Sequence, residues 1–150
     1  MGLSITVFDR SFSVESTAQS KISSFQNVNW NVTWGGAGQD YFTQVETDKD
    51  GNIYVIGGTS SFGNGEEDIV LQKYSCNGTL IWEKIWGGLY IDKISAITLD
   101  PHCNIYMTGY TRSFDAFGED IILIKFNSSG SMEWYEQINL GGERGERGRG

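Results

Sequence analysis

WNVTWGGAGQDYFTQVETDKDGNIYVIGGTSSFGNGEEDIVLQKYSCNGTLIW, residues 30–82, is answered without a gap by residues 82–134. Tryptophan recurs at Trp30, Trp82 and Trp134, a spacing of 52. Trp34-Gly35-Gly36 returns as Trp86-Gly87-Gly88, Asn52-Ile53-Tyr54 as Asn104-Ile105-Tyr106, and Glu67-Asp68-Ile69 as Glu119-Asp120-Ile121. Lys73 maps to Lys125 and Gly78 to Gly130. A fixed period of this length marks one supersecondary unit said twice, whose apolar face is buried only by stacking on a neighbour.

Within the unit the turn chemistry cuts short strands. Trp34–Asp40 is a glycine-rich connector, and Tyr41–Thr47 reads as a strand. Asp48–Asn52 is a turn of Asp, Gly and Asn, residues that cap their own backbone or accept positive φ. Ile53–Ile56 reads as a strand stopped by Gly57-Gly58, and Thr59–Glu66 as a polar loop. Asp68–Tyr74 and Thr79–Trp86 read as two strands joined through Asn77-Gly78, a strong hairpin signal. The second copy gives Lys93–Leu99, Ile105–Thr108, Ile121–Phe126 and Met132–Ile138. No stretch holds a 3.6-residue period over three turns. The expectation is an all-β chain of tandem four-stranded antiparallel sheets, the footprint of β-propeller blades.

Specific roles follow from repetition. Ile53, Ile69 and Leu71, with Ile105, Ile121 and Leu123, are expected in the core between sheets. Gly35, Gly36, Gly57, Gly87, Gly88 and Gly109 suit strand ends that bend or pack closely. Asp40 and Asp92, and Asp68 and Asp120, each stand just before a strand, where a carboxylate accepts backbone N–H bonds across a loop. Trp82 and Trp134, with Asp68 and Asp120, are expected to be structural repeat positions.

Composition narrows the functions. Twenty glycines against the single Pro101, with 13% aromatic residues, favour strands and tight turns. Net charge is −8, and the tail 143–150 carries three Arg against two Glu, so the body holds −9. Such a body repels phosphate, which argues against nucleic acid and anionic membranes. No apolar run approaches the ~20 residues of a membrane helix, and no secretory signal opens the chain. Cys76 and Cys103 fall at different points of the repeat and are expected to be free thiols.

At this point the pattern resembles a known family. GNIYVIGGTSSFG at Gly51–Gly63 and WEKIWGG at Trp82–Gly88 are similar to the seven-bladed β-propeller (SBBP) repeat, over residues 30 to about 138. The second copy departs at Cys103, where the family pattern has Gly, and at Pro101-His102. The resemblance implies an extracellular or cell-surface scaffold of many blades with no defined catalytic residues. Residues 1–29 read as a worn part of a preceding blade, 30–82 and 82–138 as two blades, and 139–150, with GER said twice, as a disordered tail. Two blades do not close a ring. Self-association or the remaining blades of a longer chain must complete it, and the poor tail favours the longer chain.

The sharper readings are weaker. Asp48–Asn52 opens like an EF-hand loop, but Ile53 and Thr59 stand where that loop requires Gly and a bidentate Glu. His102 with Cys76 and Cys103 matches no zinc pattern, and one histidine supports no triad, so neither metal, cofactor nor enzyme is expected. Asn31, Asn77 and Asn127 fit the glycosylation pattern, which Asn- and Ser-rich turns generate by chance. The expected function is a non-enzymatic interaction scaffold for protein or glycan. The alternatives are a small oligomerising lectin, with Trp34 and Trp86 stacking on sugars, and part of a propeller lyase or hydrolase. Any ligand site belongs on the loop face, among Trp34, Asp40, Trp86, Asp92 and Arg112.

Overall fold

A computed structural model of the chain describes residues 31–114 and 118–139, with the backbone of 4–7 and 10–13. Trp30, most of the N-terminal segment, the loop residues 115–117 and the Arg-rich tail lie outside the described residues. Eleven strands and no helix are found within them. Ser4–Val7 (β1), Arg10–Ser13 (β2) and Asn31–Trp34 (β3) form a small sheet in the order β2-β1-β3. The pairing of β1 with β3 is parallel.

The two repeats make two four-stranded antiparallel sheets. The first runs Asp40–Thr47 (β4), Ile53–Thr59 (β5), Asp68–Tyr74 (β6), Leu80–Trp86 (β7), each beside the next. The second repeats this as Asp92–Leu99 (β8), Ile105–Thr111 (β9), Asp120–Phe126 (β10), Met132–Ile138 (β11). Neither sheet closes into a barrel, and their form is that of consecutive, propeller-like blades in an incomplete ring.

The strands end later than glycine suggests. β5 runs through Gly57-Gly58 and β9 through Gly109. At Gly57 and Gly109 the strand alongside bulges, between Phe42 and Gln44 and between Ile94 and Ala96, so its backbone presses inward. A β-carbon at Gly57 would overlap the Tyr41 carbonyl, and one at Gly109 the Lys93 carbonyl. These glycines admit a neighbouring backbone and leave the ladder intact.

Register decides which apolar residues meet. Side chains alternate across a strand, so Tyr54, Ile56, Ile69 and Leu71 share the forward face of the first sheet, with Trp82 and Trp86 at its edge. They pack on the rear face of the second sheet: Ile94, Ile97, Ile105, Met107, Ile122, Ile124 and Phe126. Gln44 Oε1 accepts from the Ile97 N–H at 3.1 Å and ties the sheets across this core. Phe42, Ile53, Val55, Val70 and Tyr74 form a second core on the rear of the first sheet, against Val32 and Trp34 of β3.

Ile53 is buried between sheets as expected, in the rear core against β3, the face set by its pairing with Tyr74. One assignment is corrected. Ile121 and Leu123 sit on the forward face of the second sheet and are each 37% exposed. Their counterparts Ile69 and Leu71 are buried at 0% and 1%, since among the described residues only the first sheet has a neighbour on that side.

Candidate functional site

The loop face is organised by one arrangement used twice. Asp40 opens β4 and is almost fully buried. Its Oδ1 accepts from Thr59 Oγ1 at 2.5 Å; its Oδ2 accepts from Ser61 Oγ at 2.5 Å and the Gly36 N–H at 2.8 Å. Asp92, opening β8, repeats the set: Thr111 Oγ1 on Oδ1, Ser113 Oγ at 2.9 Å and the Gly88 N–H at 2.7 Å on Oδ2. The hydroxyls then accept in turn, Thr59 from the Ser61 and Phe62 N–H groups and Thr111 from the Ser113 N–H. Each carboxylate thus ties the connector before its strand to the loop after the next. Burial pushes the Asp40 carboxyl up, and the bonds from Ser61, Thr59 and Gly36 outweigh it, leaving the group below its ordinary value.

Sequence reasoning found the aspartates and missed the hydroxyls. Thr59-Ser60-Ser61 and Thr111-Arg112-Ser113 hold the same Thr-x-Ser in phase, and that signal was available.

The tryptophans are engaged by other rings of the chain. Trp34 packs on Phe42 and Phe62, at 5.7 and 5.2 Å between ring centres, and Trp86 on Phe114 and Tyr135, at 5.1 and 5.5 Å. Phe62 and Phe114 are themselves one repeat apart, so each indole and its loop phenylalanine form a unit. Trp82 meets Tyr54 edge-on at 6.0 Å, and Trp134 meets Tyr106 at 6.4 Å. Arg112 pairs with Glu119 at 2.6 Å and borders an open cleft of about 680 Å³, with Glu66, Tyr90, Ile91 and Gly118. Of the five loop-face candidates, Arg112 is the one that lines this cleft.

Where the sheets join, Asp68 and Asp92 come together. Asp68 opens β6 and is 1% exposed. Its Oδ2 accepts from the Asn64 and Gly65 N–H groups, at 2.8 and 3.1 Å. Its Oδ1 is buried and has no hydrogen-bond partner. Burial raises this carboxyl, the two backbone donors oppose that, and the Asp92 charge adds to the rise. Asp120, at the same place in the second copy, receives Gln137 Nε2 at 2.8 Å. The residue in phase with Gln137 is Ile85, which has no donor to give.

Beside this pair the sheets are stitched by backbone. The Asp92 N–H donates to the Glu67 carbonyl at 2.8 Å across the joint; within the second unit the Arg112 N–H reaches the Ile91 carbonyl at 2.9 Å, as the Ser60 N–H reaches the Gln39 carbonyl in the first. Lys93 Nζ lies 3.2 Å from Glu67 Oε2, and the Tyr41 hydroxyl donates to Glu67 Oε1. Burial, with the Glu67 bond and charge, pushes the Tyr41 phenol well above its ordinary value.

The turns are settled locally. Asp48 takes the Asp50 and Asn52 N–H groups and Asn52 Nδ2, all within 3.0 Å, as a turn cap. Asp100 does the same for His102 and Asn104. Cys76 and Cys103 lie in different turns and are unbridged. No cluster of three or more His, Cys, Asp or Glu able to hold a metal occurs among the described residues. No family model and no curated protein matches the chain.

Proposed function

We propose that the chain is a non-enzymatic scaffold of the β-propeller repeat type, working through the stacking of sheets and presenting its loops as an interaction surface. The observation that carries this reading is the open forward face of the second sheet. Tyr106, Ile121, Leu123 and Trp134 stand one repeat after Tyr54, Ile69, Leu71 and Trp82, the residues with which the first sheet buries its neighbour. Ile121, Leu123, Trp134 and Ile138 are each at least 36% exposed. A contiguous apolar face of this kind is an association surface. In a copy of the chain the rear of the second sheet is covered by its own first sheet, so the partner available in solution is the same open forward face of another copy.

The loop-face carboxylate of the first repeat supports the same reading. Asp40 spends its acceptors on Thr, Ser and Gly of its own repeat, which is a structural use. The test is light scattering over a concentration series. The native chain is expected to associate, and the Leu123→Lys chain to stay monomeric with an unchanged far-UV spectrum. A native chain that stays monomeric throughout, or a Leu123→Lys chain that associates equally, defeats the proposal.

A further inference from the structure

We propose that Asp68 and Asp92 form a site for a small hard divalent cation of the Ca²⁺ class at the joint between the two sheets. The first observation is the buried Asp68 Oδ1, the one buried side-chain oxygen or nitrogen among the described residues without a hydrogen-bond partner. An uncompensated carboxylate oxygen at 1% exposure is costly, and proteins satisfy such groups by pairing them or by binding a metal.

The second observation is where that oxygen points. A β-carbon placed on Gly87 would overlap Asp68 Oδ1 and lie 2.8 Å from Asp92 Oδ2. The two oxygens therefore stand no more than about 5 Å apart, close enough for both to reach one Ca²⁺ ion at bonds of roughly 2.3–2.6 Å. A side chain at position 87 would displace Asp68 Oδ1, so the glycine is what lets that oxygen approach Asp92.

The third observation is charge. The partners of both carboxylates are neutral: backbone N–H of Asn64, Gly65 and Gly88, and the hydroxyls of Thr111 and Ser113. The nearby cations are spent elsewhere, Lys93 on Glu67 and Arg112 on Glu119. Two buried negative charges face each other with no basic residue between them, so a cation supplies what the chain does not. Ca²⁺ suits the position better than Mg²⁺, because it tolerates irregular shells of carboxylate, carbonyl and water oxygens.

The second copy gives the internal comparison. Asp120 has Gln137 as a donor, which makes an ion unnecessary at that end. The full chain, stripped with chelator, is titrated with Tb³⁺, whose emission Trp86 beside Gly87 is placed to sensitise, and with Ca²⁺ in a thermal melt. Expected are Tb³⁺ emission displaced by Ca²⁺, a rise in melting temperature on adding Ca²⁺, and loss of both in Asp68→Asn. The drop in affinity should be at least about tenfold, since even the outer partners of metal ligands cost that much. Asp120→Asn should keep the response. No Tb³⁺ emission and no Ca²⁺ shift in the native chain overturns the proposal. So does an Asp68→Asn chain that melts higher with no native Ca²⁺ response, which would mean that the two carboxyls share a proton. If Asp68→Asn does not fold, the native titration alone decides.

Discussion

Cys103 occupies the place that Gly51 holds in the first copy. Its φ is +62°, against +79° for Gly51, so an L side chain sits in the left-handed region. The turn bonds are otherwise the same: the Cys103 N–H reaches the Asp100 carbonyl at 2.9 Å, and the Gly51 N–H the Asp48 carbonyl at 3.1 Å. Holding a β-carbon at such a φ costs about 1–2 kcal/mol. Glycine returns about 0.5–1 kcal/mol of that through its greater freedom in the unfolded chain. Cys103→Gly should therefore stabilise the chain by about 0.5–1 kcal/mol, a rise in Tm of roughly 1–4 °C for a chain of this size. The mirror change, Gly51→Ala, should cost about 1 kcal/mol. Urea unfolding under reducing conditions measures both, with an unchanged m-value showing that the unfolded state is not altered. A Cys103→Gly chain that is less stable than the native one would refute the argument, because the half-buried thiol would then outweigh the backbone strain.

Leu71 and Leu123 share a repeat position but not an environment, so Leu71→Ala should cost about 2–5 kcal/mol and Leu123→Ala, in the monomer, clearly less; equal losses in urea unfolding would contradict the assigned faces. Asp40→Ala strands two hydroxyls and the Gly36 N–H and should cost about 3 kcal/mol, read the same way. The Asp40 and Asp48 carboxyls titrate below the ordinary 3.8. Their contribution is thus whole above pH 3.8 and is lost as pH falls through their lowered folded values. Stability measured against pH should fall in that acid range, and less steeply in Asp48→Asn.

Much of the fold was legible because the 52-residue period repeats the turns as well as the apolar residues. Asp48–Asn52 and Asp100–Asn104 close their hairpins with bonds that those residue types make locally, so no distant information was needed. The glycines at 57 and 109 misled for the opposite reason. Their role depends on a carbonyl of the adjoining strand, and composition does not carry that. The face of Ile53 is likewise a matter of register, since it is set by pairing with Tyr74 across the ladder. At the loop face the periodic carboxylates were readable. The Asp68–Asp92 approach was not, because it joins two different positions of the repeat, and only the packing of one sheet on the next brings them together.

The cap around Asp40 or Asp92 is drawn from a Gly four residues before, a Thr nineteen after and a Ser twenty-one after, all within a single period. Adding or deleting a whole period by unequal crossing-over would leave every cap intact. The meeting of Asp68 with Asp92 obeys a different arithmetic. It belongs to the seam, so it can be gained or lost only in step with the number of neighbours a unit has. A length change in the gene would thus be silent for the one feature and would create or erase the other.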